Sequence, residues 1–235
     1  MGNSTSSTSS CFTADDFMRF FQCKVVDIRF NTEDAKSPTF APSPGYQLND
    51  FAGILVDDVI KLTRCAPSKQ SSLDALPTWL LMECAEVISP FIASFCNASM
   101  KNGQVPKARK EVYITPQLKK PTLHSDINNY RLISNLSVPL KLMKKAVCKQ
   151  LVIYPDTNNL MPRNHSAYCR NHSTESVSTK VFSNITIENG NFVLLSYLNL
   201  SVALGCIARE LLLNRSGQSF GMQSKVLKWL ASYLT

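Results

Sequence analysis

Glycine, histidine and acidic side chains are all in short supply in this 235-residue chain, and each shortage removes a class of chemistry. None of the eight glycines falls in a Gly-x-Gly-x-x-Gly array, so no glycine-rich loop is available to cradle a nucleotide phosphate. There are three histidines. His165-x3-Cys169-x2-His172 has the look of metal-ligand spacing, but a structural zinc site takes four ligands and His124 is the only other histidine. Neither a nucleophile elbow nor a cysteine-protease signature is visible. No apolar run approaches the roughly 20 residues needed to cross a membrane, and Met1 to Ser10 is too polar for a secretory signal. No pair among the eight cysteines is spaced Cys-x-x-Cys, so they read as free thiols in a reducing compartment, cytoplasmic or nuclear. Without a secretory route the eight Asn-x-Ser/Thr sequons carry no weight. The start Met1-Gly2-Asn3-Ser4-Thr5-Ser6 does fit the N-myristoylation pattern at Gly2, a pattern that small polar residues also meet by chance.

What the chain has in excess is positive charge, and the charge is concentrated. Lys and Arg number 25 against 17 acids, a net +8. Residues 101–150 alone carry 11 Lys and Arg against Glu111 and Asp126, a net of +9, which leaves the rest of the chain at −1. A basic field confined to one fifth of a chain is the electrostatic footprint of a polyanion binder.

Residues 1–46 read as a flexible N-terminal segment and linker. Residues 1–10 are low-complexity, and Pro38, Pro42, Pro44 and Gly45 punctuate the linker. Between these stretches the spacing of Phe17, Phe20, Phe21 and Val25 predicts a helix over 13–30, started by Thr13-Ala14-Asp15-Asp16. A helix over 48–64 is expected from Phe51, Ile54, Leu55, Val59 and Leu62. Pro77 opens a long helical region that Pro90 restarts and Gly103 ends. Short strands are expected over 111–118 and 131–136. The clearest amphipathic helix spans 138–153. Leu140, Met143, Val147 and Leu151 form its buried stripe, and Lys141, Lys144, Lys145 and Lys149 crowd the opposite face. A helix over 173–189, a strand over 191–199 and a helix over 222–234 complete the α+β pattern, mostly helical with a few short strands.

Several segments, taken in order, carry a resemblance. Leu73-Asp74-Ala75-Leu76-Pro77-Thr78-Trp79-Leu80-Leu81 looks like a Leu-Asp-Pro-x-Pro-x-x-Leu-Leu opening. Phe95 to Met100 followed by Gly103-Gln104-Val105-Pro106 looks like Asn-x-Ser-Leu with Gly-x-x-Pro. Ile114 to Lys120 and Asn129-Tyr130-Arg131-Leu132-Ile133-Ser134 are similar to Thr-Pro-Leu-x-Lys and Asn-Tyr-Arg-Pro-Ile-Ser. His172-Ser173-Thr174-Glu175-Ser176 and the closing Trp229-Leu230-x-Ser232-Tyr233-Leu234 continue the series. The set, spanning about residues 48–235, resembles the reverse transcriptase of non-long-terminal-repeat retrotransposons, of the LINE or jockey type. It implies right-hand polymerase fingers over 47–190 and a truncated palm over 191–235, with the ancestral Mg²⁺ held by palm carboxylates. The family's Tyr-Ala-Asp-Asp hairpin is expected beyond Thr235.

The departures from that pattern fall on its chemistry. Residues 194–213 keep the apolar frame of the metal-binding strand, but Asn199 stands where the family has its first metal Asp and Gly205 where it has a second. Leu204 replaces the aromatic that screens the sugar 2′ position, and Leu132 replaces a proline. Ala167-Tyr168-Cys169 stands in place of Gly-Phe-Arg, with Arg170 next door as a partial substitute. Asp15-Asp16 and Asp57-Asp58 are acidic pairs in helical contexts, read as a solvated helix face or an N-cap rather than as metal ligands. No catalytic residue is therefore expected intact and no cofactor is expected to be bound. The resemblance implies weak, salt-dependent binding of an RNA or DNA template-primer through Lys119, Lys120, Arg131, Lys141, Lys144, Lys145, Lys149 and Arg170. A lysine-rich helix face is equally what any solvated amphipathic helix presents. Tyr113, Tyr130 and Tyr168 are either base-stacking or packing residues. The competing expectation is a translated retroelement remnant with no selected function and incomplete folding, its unpaired sheet edges exposed.

Overall fold

A computed structural model describes residues 12–66, 73–74, 76–107, 110–123, 126–162, 164–167, 169, 171–187, 196 and 207–234. Helices dominate: α1 (Ala14–Phe30), α2 (Val56–Arg64), α3 (Thr78–Glu83), α4 (Ala85–Asn102), α5 (Val138–Thr157), α6 (Thr174–Ile187), α7 (Arg209–Phe220) and α8 (Ser224–Leu234). Two strands, β1 (Tyr113–Leu118) and β2 (Tyr130–Asn135), pair antiparallel with Tyr113 opposite Asn135 and Leu118 opposite Tyr130. The mostly helical α+β character expected from the sequence is what the structure has. The N-terminal ten residues and the strand expected over 191–199 lie outside the described residues, as do Asn199, Leu204 and Gly205.

Helix α1 starts where its capping residues place it. The Asp16 N–H donates to Thr13 Oγ1 at 3.2 Å, and the Thr13 N–H donates back to Asp16 Oδ2 at 2.8 Å. That reciprocal box satisfies two donors at the helix start. These bonds hold the Asp16 carboxyl below the usual carboxylate range, the Thr13 side chain contributing most. Phe17 is the only buried residue of α1, in edge contact with Tyr130 at 4.9 Å.

The helix expected over 48–64 is present only from Val56. Residues 51–55 are extended instead, clasped by two side-chain amides that take the place of a neighbouring strand. The Ala52 N–H donates to Gln150 Oε1 at 2.8 Å, and Gln150 Nε2 donates to the Ala52 carbonyl at 2.9 Å. Asn97 does the same for Ile54, at 2.8 and 3.0 Å. Just upstream, Leu48 forms a parallel bridge with Met222, and the Gln223 N–H donates to the Leu48 carbonyl at 2.9 Å. Helical spacing of apolar residues lost here to partners distant in sequence, with Gly53 weakening the helical alternative.

The long helical region breaks at Cys84, not at Pro90. Pro90 sits inside α4 on its exposed side, where the carbonyl that its missing N–H leaves free can meet water. Helix α4 ends as expected. Gly103 is left-handed at φ +64°, with its N–H donating to Met100 and that of Gln104 donating to Ser99, a Schellman close. Helix α7 was not foreseen, and the apolar run read as a polymerase strand extends into its first residues, 209–213.

The core is one cluster. Val59, Leu81, Ile92, Cys96 and Met100 meet Val138, Leu140, Met143 and Val147 of α5 and Trp229 of α8. Leu140, Met143 and Val147 are at most 2% exposed, so the stripe expected on α5 faces inward, and each such side chain contributes roughly 1.5–3 kcal/mol.

Gly221 closes α7 at φ +64°, and a Cβ there would fall 1.9 Å from the Tyr46 carbonyl oxygen. Gly221→Ala is expected to cost more than the roughly 1–3 kcal/mol of backbone strain alone, read as a lowered urea midpoint. Wild-type stability in this variant would remove the contact between residue 46 and the α7–α8 turn. At the other end of the chain, the lowered Asp16 carboxyl stabilises α1 above the ordinary carboxylate range. That contribution is lost as pH falls through its depressed value. The protection factor of the Asp16 amide is expected to fall there, and in Thr13→Ala it is expected to be low already at neutral pH.

Candidate nucleic-acid interface

Helix α5 presents its lysines because its apolar residues are committed to the core. Its N-terminus is held from a distance: the Val138 N–H donates to Asp74 Oδ1 at 2.7 Å, so a carboxylate meets the positive end of the helix. Asp74, the acidic residue of the Leu-Asp-like segment, thus has a structural task that its sequence position does not disclose. Lys144, Lys145 and Lys149 are exposed and Lys141 is half-buried.

The structure divides these lysines. Lys149 lines a cavity of about 310 Å³ with Lys61, Asp58 and the clasped segment 52–54. Lys144 lines a different one, of about 330 Å³, beside Lys110, Val112, Ser134 and Tyr233. Lys141 and Lys145 line neither cavity.

The β1–β2 ribbon carries the remaining basic residues. Its alternation places Ile114, Pro116, Leu118, Tyr130 and Leu132 on one face, whose Tyr130 end meets Phe12 and Phe17 of the N-terminal segment. Tyr113, Thr115, Gln117, Arg131 and Ile133 share the other face. Tyr113 is 54% and Ile133 41% exposed, and Arg131 is exposed opposite Gln117. Lys119 and Lys120 follow at the end of the ribbon where the connection from β1 to β2 begins. The Lys119 N–H donates to the Asn129 carbonyl at 2.8 Å and its Nζ to the Asn128 carbonyl at 2.6 Å, which fixes its ammonium at the rim. Of the three tyrosines considered as stacking residues, Tyr130 is used in packing, Tyr113 is open, and Tyr168 lies outside the described residues, as does Arg170.

Other chemistry is thin. His165 and Cys169 line a small, largely apolar cavity of about 250 Å³, with the Cys169 thiol 3.6 Å from the His165 carbonyl. Among the described residues no group of three or more His, Cys, Asp or Glu side chains converges. The described cysteines are free thiols, and burial pushes Cys96 up to about 11, which makes it an inert core group.

Lys107, Lys110 and Lys228 form a further basic cleft with the C-terminal turn of α4, about 790 Å³ in volume. The first two belong to the basic segment of the sequence. Lys228 arrives from α8, in a helix whose sequence reading rested only on its apolar stripe. Nothing local to residue 228 signals this neighbourhood.

The sequence matches no family model and no curated protein.

Asp74→Ala removes the carboxylate from the start of α5 and is expected to lower the unfolding free energy by about 1–2 kcal/mol, read as a lowered urea midpoint. Asp74→Asn, which keeps an acceptor, should lose less. Equal losses would mean that the cap at Val138 is not what the residue supplies.

Proposed function

We propose that this chain is a nucleic-acid-binding segment of reverse-transcriptase-like character that does not itself carry out nucleotide transfer. It holds RNA or a DNA template-primer weakly. The lysines of α5 and the ribbon residues Lys119, Lys120 and Arg131 contact phosphates, and Tyr113 offers a stacking surface. The observation that carries the proposal is the confinement of a net +9 to residues 101–150, with Lys144, Lys145 and Lys149 exposed on a helix whose other side is buried. Support also comes from the ordered series of family-like segments and from Tyr113 and Arg131 sharing one open face of the ribbon. Lys119, Lys120, Arg131, Lys144, Lys145 and Lys149 are exposed, which makes the binding a matter of counterion release, so affinity should fall steeply with salt.

The reading of a non-catalytic segment rests on the donor set at the positions that the resemblance assigns to metal. Two-metal phosphoryl transfer requires anionic oxygens brought together from separate strands. Asn199 offers a neutral amide and Gly205 offers nothing, so the residues do not fit a Mg²⁺ pair and no metal-dependent step is assigned. The common core that joins α2, α4, α5 and α8 favours a folded binder over an unfolded remnant.

Fluorescence anisotropy with a labelled RNA at low salt tests the binding. Replacing Lys141, Lys144, Lys145 and Lys149 together by Glu is expected to abolish it, and unchanged affinity rejects the proposal. Primer extension with Mg²⁺ or Mn²⁺ is expected to yield no product; template-dependent synthesis would overturn the assignment of Asn199 and Gly205 as disabled positions.

A further inference from the structure

The two basic clefts adjoin. The cavity beside Lys144 and the larger one beside Lys107 and Lys228 share Lys110 as a wall, and Ser232 and Tyr233 are consecutive residues on their common side. Among the described residues no Asp or Glu lines either cavity. Among the described residues, Lys107, Lys144 and Lys228 are exposed and enter no salt bridge. Lys110 donates its Nζ to the Ser232 carbonyl, at the negative end of α8.

Helix ends decide how much of this charge is spent internally. The C-terminal turns of α4 and α8 both reach the larger cleft, and each end carries roughly −0.5 charge. Three lysines in that cleft therefore leave a surplus of about two positive charges after the helix ends are offset, and Lys144 adds another next door. A surplus of this kind in a concave channel attracts a chain of phosphates. Tyr233 lines the narrower part with one ring face already stacked on Trp229, 5.4 Å away and 5° from parallel, so the aromatic is rigidly held. Lysines along a groove with a fixed aromatic in its wall is how single strands are bound without sequence preference.

We propose that these clefts form one channel for a single-stranded nucleic-acid backbone, with Lys107, Lys110, Lys228 and Lys144 placed along the phosphates and Tyr233 against a base. The channel rests on the reading of the chain as a nucleic-acid binder; it shares Lys144 with the α5 face and otherwise uses different residues from that face and the ribbon. Lys107, Lys110, Lys228 and Tyr233 belong to neither of those.

The test compares the full chain with the double variant Lys107→Glu/Lys228→Glu, using a fluorescein-labelled deoxythymidine strand of about 15 nucleotides across a salt series. Both residues are exposed, so the fold should survive; Lys107→Gln/Lys228→Gln serves if a thermal melt says otherwise. The charge reversal is expected to weaken binding about tenfold or more. The slope of log affinity against log salt should become shallower by about 1.4, the value for two phosphate contacts on a single strand. If the wild-type chain binds the strand and the double variant binds with the same affinity and slope, the channel is overturned while the α5 face stands. If the wild-type chain fails to bind at low salt, the nucleic-acid reading itself falls. A duplex bound as tightly as the strand and weakened equally by the double variant overturns the single-stranded assignment. Inorganic phosphate displacing the strand at constant ionic strength with an affinity equal to the strand's own would reduce the channel to a single-anion pocket and also overturn it.

Discussion

The hydrogen bond from Trp229 Nε1 to Ser99 Oγ, 3.0 Å long and buried, joins the two parts of the chain that matter most to each other. Ser99 passes the connection on by donating its hydroxyl to the Gln104 carbonyl, just past the left-handed Gly103 that ends α4. Val105 returns it, its N–H donating to Ser232 Oγ at 2.9 Å. Around this circuit Trp229 stacks on Tyr233 and meets the edge of Phe51 at 5.8 Å. A buried indole N–H without a partner is costly, and so is a serine hydroxyl. Each group here is satisfied by the other, which fixes the angle at which α8 crosses the end of α4. The positions of Lys107, Lys110 and Lys228 follow from that crossing, since all three stand on the segments it brings together.

The electrostatics of the molecule grow out of the same geometry. Two helix ends converge where the lysines do, and part of the positive charge is absorbed in meeting them. What is left over is available to a ligand. On α5 the situation differs, because Asp74 meets the positive end of that helix and the lysines lie farther along it. The α5 lysines thus keep their charge, but solvent screens them on an open face. A concave channel and an open face are two ways of presenting cations, and the first holds its field better as ionic strength rises.

Much of the fold was legible because its signals are local. Thr13 and Asp16 mark the start of α1, Gly103 ends α4, and the stripe of Leu140, Met143 and Val147 orients α5. The ribbon strands fall within two residues of where Val112, Tyr113 and Ile114 and the Arg131–Leu136 run suggested. Illegible features depend on partners far away in the sequence. Residues 51–55 have helical spacing yet are pulled straight by Asn97 and Gln150, and nothing near Ala52 announces an amide nearly a hundred residues downstream. The charge cluster of 101–150 was visible, but not its division among cavities, which depends on how far each lysine sits around the α5 axis. Lys228 entered the basic region only through the packing of Trp229.

The strap formed by residues 41–50 has a consequence for how the molecule is made. Ser43 donates its N–H to the Gln218 carbonyl, Asn49 accepts from Lys225 and Val226 at the start of α8, and Asp50 pairs with Lys225 at 2.6 Å across 175 positions of sequence. At the usual pace of a ribosome, about 5–20 residues per second, the strap waits on the order of ten seconds or more for its partners to be synthesised. Until then the backbone groups of Ser43 and Asn49 that these bonds occupy lack those partners. Closing so long a loop is also the slowest kind of contact to make. The contacts of the strap therefore cannot form until residues 218–226 have been made.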